Sequence, residues 1–252
     1  MRFRALILIA TLAAGSTAFS QAPTGAIVIK AKNIKGADKT RSILARKRFY
    51  LFPGSLKDNQ PLIDRVKAAE ITSRDCYYTG AKASSCFIAW LKQENCESPF
   101  CRTVKQDDIA RVPEFKTAYD KGMLSYKRPD LALSWILDSL PQPLTAGFYT
   151  QQRGVIDRIL GTQKPLQTIM TTSTAVEATF VGIPAGDKAA KFTISNVLPV
   201  EIDNKSYVWT CEVDVTASKS TALPLTMDAT KKNCVIVTKD LKTCSTGACA
   251  AQ

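Results

Sequence analysis

The sequence predicts an α+β protein in which a disulfide-stapled antiparallel β-sandwich carries a helical insertion of about five short helices. Three observations lead to this fold class. Segments of period two lie at both ends of the chain, a long middle segment has the helical period, and all eight cysteines follow an export-type N-terminus. Two strands alone do not make a stable sheet in water, so we expect the N-terminal pair to join the C-terminal strands. The alternative layout separates an N-terminal α+β domain from a C-terminal β domain.

Residues 1–20 are typical of a secretory signal peptide. Two arginines in the first four residues precede an apolar run from Ala5 to Ala14, and small residues lead up to Ser20. The run is too short to cross a bilayer, which takes about 20 apolar residues. We therefore predict a soluble, secreted or periplasmic chain without a transmembrane segment, cut after Ser20. A cut after Ala22 is the alternative, disfavoured by Pro23.

Residues 21–57 are predicted to form the first, basic strands of the sandwich. A β-branched segment from Ala26 to Lys32 is the opening strand. A second strand runs from Ile43 to Phe52 and is ended by Pro53-Gly54. Alternation along it places Arg46, Arg48, Tyr50 and Phe52 on one face, and Lys47, Phe49 and Leu51 on the other.

Residues 58–164 form the predicted helical insertion, because apolar residues there recur at helical spacing. Prolines tolerated in the first helical turn, and serines able to cap a helix, mark where helices begin. The five predicted helices begin near Pro61, at Ser84 or Ser85, at Pro113, at Pro129 and near Pro143, and the last ends at Gly161.

Residues 165–252 return to period two and are predicted to supply the remaining strands and a cysteine-tied tail. Apolar and polar residues alternate in 176–180, 191–194 and 207–216, which is typical of half-buried strands. A further strand, 234–238, follows a connection that contains Pro224.

Residues 190–199 read Ala-Lys-Phe-Thr-Ile-Ser-Asn-Val-Leu-Pro and precede Tyr207 in a strand. This segment resembles the G-x-F-x-I-x-N-L-x-P…Y stretch of carboxypeptidase-regulatory-like, transthyretin-like β-sandwich modules, with Ala190 in place of the glycine. The resemblance covers about residues 190–215. It implies a β-sandwich and a noncatalytic role, and it transfers no active-site residue.

The cysteines are predicted to form four disulfides, as expected in an oxidising compartment. A helix across residues 86–96 would hold Cys86 and Cys96 about 15 Å apart, too far for a disulfide. The simplest set pairs Cys76 with Cys86 and Cys96 with Cys101, and crossed pairing within this cluster is the alternative. Cys211 lies on the apolar face of its strand with Cys234 as its partner, and Cys244 and Cys249 are left to tie the tail.

Basic residues are concentrated near the N-terminus. Residues 21–57 hold nine lysines or arginines against one aspartate, whereas residues 58–164 hold fifteen against thirteen acids and residues 165–252 hold eight of each. Such asymmetry favours an anionic partner, namely a polymer, a membrane surface or an acidic protein. The candidate anion-binding residues are Lys30, Lys32, Arg46, Lys47, Arg48 and Tyr50. The competing interpretation is a solvated face or a guarded sheet edge.

The composition excludes several kinds of chemistry. The chain has no histidine, so Ser-His-Asp and Cys-His mechanisms cannot operate, and without Cys-x2-Cys pairs no zinc site, other metal or cofactor is predicted. No specific nucleic-acid motif is present. Asp107-Asp108 is the most conspicuous acidic pair, but it is better explained as first-turn helix chemistry. The sequence therefore predicts a noncatalytic extracytoplasmic binding or structural module; the alternative is a carboxylate-dependent, glycosidase-like hydrolase.

Overall fold

A computed structural model describes residues 23–31, 44–94, 96–172, 177–202, 205–227 and 233–240, together with Cys244, Gly247 and Cys249. The predicted signal peptide and Lys32 lie outside these ranges. None of the helices in these ranges combines the length and the apolar character needed to cross a bilayer.

The protein is α+β, and its described strands form two mostly antiparallel sheets. The three-stranded sheet has the order β4-β1-β8, and β1 pairs antiparallel with β4 and parallel with β8. The six-stranded sheet contains β2, β3, β5, β6, β7 and β9. The strands are β1 (Thr24–Ala31), β2 (Arg48–Pro53), β3 (Gln167–Met170), β4 (Glu177–Pro184), β5 (Ala190–Ser195), β6 (Val200–Ile202), β7 (Lys205–Val215), β8 (Ser220–Leu225) and β9 (Cys234–Asp240).

Both sheets combine strands from before and after the helices, because β1 and β2 lie in different sheets and each pairs with strands that follow the helices. Two predictions about strands were wrong. The second strand begins at Arg48, not Ile43, since Leu44–Lys47 is a turn in which Arg46 has a left-handed φ of 56°. Pro224 lies inside β8, where it can be accommodated because β8 is an edge strand that pairs, within the described structure, with β1 alone.

The described residues contain eight α-helices instead of the five predicted. The predicted starts at Pro113 and Pro129 are confirmed, and Ser84 caps its helix by accepting a hydrogen bond from the N–H of Phe87. The additional helices are four to seven residues long, too short for a helical period to be read from sequence. The helices are α1 (Gln60–Ala68), α2 (Arg74–Gly80), α3 (Ser85–Gln93), α4 (Gln106–Arg111), α5 (Pro113–Tyr126), α6 (Pro129–Ser139), α7 (Gln142–Thr145) and α8 (Gly147–Leu160).

Three buried clusters hold these elements together. The two sheets share one cluster, to which β2 contributes Phe49 and Leu51. The other face of β2 contributes Tyr50 and Phe52 to a second cluster, which includes residues of α1 and α8. The third cluster lies among the other helices and includes Phe148 at the beginning of α8. The six-stranded sheet therefore lies between the three-stranded sheet and part of the helical layer, and the predicted alternation within residues 48–52 is confirmed.

The strand next to β7 is interrupted. Residues 205–207 of β7 pair with β6 on one edge and β9 on the other, and residues 210–211 pair with β5 and β9, so β5 and β6 lie on the same edge. Between the pairs Ser195–Thr210 and Val200–Tyr207, the chain from β5 to β6 advances by five residues while β7 advances by three. Residues 196–199, which we call the bulge, therefore leave the sheet beside the beginning of β2.

All eight cysteines are paired. The predicted disulfides Cys96–Cys101 and Cys211–Cys234 are confirmed. The predicted pair Cys76–Cys86 was wrong, as was the crossed alternative within the same cluster. The tail instead bonds to the helical layer through Cys76–Cys244 and Cys86–Cys249. Cys76 and Cys86 lie on different helices, and each can therefore reach a segment that is distant in sequence.

Candidate functional site

A cavity of about 400 Å³ lies where β2 begins, between the bulge on one side and α8 on the other. Four segments form its walls: residues 46–50 of the turn and β2, residues 196–200 of the bulge and β6, one face of α8, and the loop closed by Cys96–Cys101. Met170 and Thr171 at the end of β3 complete the lining. The bulge leaves the sheet at this point and supplies one side of the cavity.

The first wall comes from β2 and the preceding turn. Arg48 and Tyr50 are two residues apart on the strand and both line the cavity. Lys47 lines it as well, contrary to the predicted alternation, because Arg46 and Lys47 belong to the turn and not to the strand. Thr171 fixes this turn, since its Oγ1 accepts a hydrogen bond from the N–H of Lys47 at 2.7 Å and contacts the carbonyl oxygen of Leu44.

The second wall is the bulge, held by the buried side chain of Asn196. Its Oδ1 accepts the N–H of Trp209 at 2.7 Å, and its Nδ2 donates to the carbonyl oxygens of Leu198 at 2.7 Å and Tyr207 at 3.1 Å. These bonds replace ladder bonds that the bulge interrupts. Val197 has a φ of 54°, which is a genuine outlier for a β-branched residue. Strained backbone of this kind is concentrated at functional sites.

The third wall is a single face of α8. Tyr149, Gln152, Arg153 and Ile156 line the cavity at the spacing of one helix face. Ile156 also belongs to the buried cluster that contains Tyr50, whereas Tyr149 is 45 % exposed. The lining of α8 therefore changes from buried and apolar at one end to exposed and aromatic at the other, with Arg153 between them.

The fourth wall carries the cavity's acidic side chain. Glu97 lies in the loop closed by Cys96–Cys101, and its Oε1 lies 3.4 Å from the Nζ of Lys47. Within the described lining, Glu97 is the single carboxylate and faces four cationic residues, Arg46, Lys47, Arg48 and Arg153. The cavity is therefore strongly basic.

The four cations are not equally engaged. Lys47 is paired with Glu97, and the guanidinium of Arg46 donates to the carbonyl oxygen of Glu94 at 3.3 Å. In the described structure, the side chains of Arg48 and Arg153 make no hydrogen bond and no ion pair. Guanidinium groups match carboxylate and phosphate oxygens bidentately. The cavity therefore presents two uncommitted guanidiniums suited to an oxyanion.

Tyr50 is the most buried titratable residue of the lining. It is 4 % exposed. Its hydroxyl has no hydrogen-bond partner in the described structure and is closed off from water. An unsatisfied buried hydroxyl is costly, so each such group calls for an explanation.

The predicted anion-binding residues are only partly brought together. Arg46, Lys47, Arg48 and Tyr50 line the cavity. Lys30 does not, because it lies on β1 in the other sheet, where its Nζ is 3.3 Å from the carboxylate of Glu177. Lys32 lies outside the described residues.

Sequence reasoning missed the contribution of α8. The predicted apolar stripe of Phe148, Val155 and Ile159 is buried. The residues that line the cavity form the neighbouring face of the same helix. The i, i+3, i+4, i+7 spacing of residues 149, 152, 153 and 156 identifies a face. No feature of the sequence connects that face to β2.

The acidic pair Asp107-Asp108 lies away from this cavity, at the beginning of α4. The Asp108 carboxylate accepts the N–H of Lys105 at 2.8 Å, and Arg102 and Arg111 pair with it. Burial alone would raise the pKa of Asp108, but the hydrogen bonds from Arg102 and Lys105 outweigh it and lower that pKa. Asp108 is thus a buried cap, as the first-turn interpretation requires.

The described residues contain no group of three or more acidic or cysteine side chains that could hold a metal ion. The cavity also lacks, in its described lining, the second carboxylate that a glycosidase-type mechanism needs. The geometry suits binding of an anion better than hydrolysis.

Comparison with protein-family models, curated proteins and solved structures finds no match to this chain. The resemblance of residues 190–215 to transthyretin-like modules therefore stays a prediction.

Proposed function

We propose that the protein is a noncatalytic, extracytoplasmic binding protein that holds an anionic partner in the basic cavity. Four disulfides support an oxidising, extracytoplasmic environment. A core shared by the two sheets supports a β-sandwich as the scaffold. The scaffold holds the cavity walls through strand pairing and through the side chain of Asn196.

The observation that carries this proposal is the approach of Arg48 and Arg153 to one cavity without a partner for either in the described structure. Both side chains are exposed at the cavity, and an anion bound by the two guanidiniums offsets the repulsion between their like charges. The burial of the Tyr50 hydroxyl beside them is a second cost to stability. Both features are typical of sites where function outweighs stability.

Thermal melts in phosphate and in chloride, at matched ionic strength, test the proposal. At a phosphate concentration about 100-fold above Kd, a site in the folded state contributes about 2.7 kcal/mol, which raises Tm by about 5 °C or more for a chain of this size. The Arg48→Ala, Arg153→Ala double variant is expected to lose this rise.

The matched control is Lys67→Ala with Arg158→Ala. Both residues are exposed, Lys67 on α1 and Arg158 on α8, and neither lines the cavity. This variant removes the same charge and is expected to keep the rise in Tm. An equal rise in all three proteins would attribute the effect of phosphate to general salting-out and would contradict the proposal.

The larger partners predicted from the sequence are tested with heparin and with anionic vesicles. Binding through the cavity's arginines weakens as salt increases, because the Debye length falls from about 10 Å at 0.1 M to about 3 Å at 1 M. If heparin or vesicles bind through this site, the Arg48→Ala, Arg153→Ala variant is retained less than the Lys67→Ala, Arg158→Ala control. Equal retention of the two variants places any such binding elsewhere on the surface.

A further inference from the structure

We infer that the cavity takes a small amphipathic anion, in which an oxyanion held by Arg48 and Arg153 is attached to an apolar body packed against α8 and the bulge. This inference rests on the proposed function and names the class of ligand. Phosphate and carboxylate share the chemistry required, since both offer two oxygens to a guanidinium fork.

Part of the cavity lining is apolar. Ile156 and Val200 are buried, and Leu198 and Pro199 of the bulge are half-buried. Inorganic anions gain nothing from such walls, whereas an apolar body gains about 25 cal/mol for each Å² removed from water.

Along α8, the cavity lining changes from apolar to cationic to aromatic. Ile156 lies seven positions after Tyr149, a distance of about 10 Å along the helix axis. Arg153 lies between them, and Arg48 lies on the strand wall of the same cavity. The cationic groups therefore have apolar surface beside them within reach of one small molecule.

Two large apolar residues of the lining are exposed to solvent. Met170 is 68 % exposed and Tyr149 is 45 % exposed, and both line the cavity. An apolar body lying between them would cover surface that is otherwise in water.

The size of the cavity favours a small ligand. A volume of about 400 Å³ lies near the lower end of the range of about 300–1,000 Å³ found for small-molecule pockets. A polymer strand or a folded protein would contact the mouth alone. The buried residues of the lining are used only by a ligand small enough to enter.

The experiment measures the affinity of the purified protein for inorganic phosphate and for ethyl, butyl and hexyl phosphate by isothermal titration calorimetry. Each buried methylene is worth roughly a three- to fourfold gain in affinity, so we expect affinity to rise along the series until the cavity is filled. Soluble short chains below their aggregation limit keep the measurement free of micelles.

Met170→Ser is the matched probe of the apolar contact, with Val181→Ser as its control. Both residues are exposed apolar side chains on strands, Val181 being 65 % exposed on β4 and absent from the cavity lining. The gain per methylene is expected to fall in Met170→Ser and to stay unchanged in Val181→Ser. Affinity for inorganic phosphate is expected to be the same in both variants.

The outcomes separate this inference from the proposed function. Equal affinity for phosphate and hexyl phosphate would overturn the amphipathic ligand and leave anion binding intact. If no phosphate or alkyl phosphate bound, both would be overturned. Vesicles of phosphatidylglycerol and phosphatidylcholine give the remaining outcome. If they bind through the cavity while affinity for the soluble phosphates does not rise with chain length, the partner is a membrane surface and the small-molecule class is overturned.

Discussion

Tyr50 combines near-complete burial with a hydroxyl that has no partner in the described structure. An unsatisfied buried group costs about 1–3 kcal/mol. We therefore expect Tyr50→Phe to raise the free energy of unfolding of the ligand-free protein by about 1 kcal/mol, as measured by urea denaturation. Removal of a tyrosine hydroxyl that is satisfied has the opposite effect.

Tyr78 is the matched comparison for that experiment. It is as buried as Tyr50, but its hydroxyl donates to the carbonyl oxygen of Glu97 at 3.0 Å. Tyr78→Phe is expected to lower the free energy of unfolding by about 1 kcal/mol. If both variants were destabilised alike, the Tyr50 hydroxyl would have a partner in solution.

Asp108 gives the protein a pH-dependent contribution to stability. Its carboxylate is 1 % exposed and pairs with Arg102 and Arg111. Because folding lowers its pKa, this contribution is fully present above the ordinary aspartate pKa of about 4 and is lost as the pH falls through the lower pKa of the folded state. Asp108→Asn is expected to cost about 3 kcal/mol at pH 7, and progressively less below about pH 4.

The comparison for Asp108 is Asp130, which pairs with Arg128 at the beginning of α6 and is exposed. Exposed ion pairs contribute little to stability. The hydrogen bond from Arg128 lowers the pKa of Asp130, but solvent screens this pair, so the loss in Asp130→Asn should be far smaller than the loss in Asp108→Asn at pH 7. A loss in Asp108→Asn that does not change between pH 7 and pH 3 would show that its cause is not the ionised carboxylate.

At the scale of elements, the bulge depends on one side chain. Asn196→Ala leaves the N–H of Trp209 and the carbonyl oxygen of Tyr207 without the bonds that Asn196 supplies. Since both groups are buried, we expect a loss of about 2–4 kcal/mol in urea denaturation. Weaker binding of phosphate should accompany it, because the bulge forms one wall of the cavity.

Asn233→Ala serves as the control for the bulge. Asn233 is exposed, and its Nδ2 donates to the carbonyl oxygen of Glu212 at a long 3.4 Å. This variant is expected to unfold like the wild type. Comparable losses in the two variants would mean that the bonds of Asn196 do not determine the stability of the bulge.

The sequence was informative about elements wherever local rules decide. Alternation placed Tyr50 and Phe52 opposite Phe49 and Leu51, and proline marked the beginnings of α5 and α6. Local rules did not reveal the turn at Arg46, because arginine has no preference for a left-handed φ. They also could not bring α8 to β2, since that contact is made by tertiary packing.

At the scale of the whole molecule, two disulfides fasten the tail to the helical layer. Each closes a loop of more than 160 residues when formed alone, since the sequence separations are 168 and 163. When one is present, the other closes only the short ring through residues 76–86 and 244–249, a ring of about 15 residues that is worth about 3 kcal/mol in the chain-entropy model. The two contributions are therefore coupled.

We predict that the loss of either tail disulfide costs about 3 kcal/mol and that the loss of both costs more than the sum. Three variants carry serine in place of Cys76 and Cys244, of Cys86 and Cys249, or of all four cysteines. Urea denaturation under oxidising conditions measures the free energy of unfolding of each variant. Additive losses would contradict the coupling. Sequence reasoning identified both local pairs, Cys96–Cys101 and Cys211–Cys234, but no local pattern specifies a bond between a tail and a distant helix.

The tail disulfides also fix how the molecule responds to a cut and when it can be completed. Cys76–Cys244 makes a covalent ring of the intervening chain, so a protease that nicks the turn at Lys127, between α5 and α6, leaves one molecule that separates into two fragments only after reduction. Cys244 and Cys249 are synthesised after every strand and helix described above. A growing chain can thus close Cys96–Cys101 and Cys211–Cys234 early, whereas the bonds that secure the helical layer form only after Cys244 and Cys249 have been made.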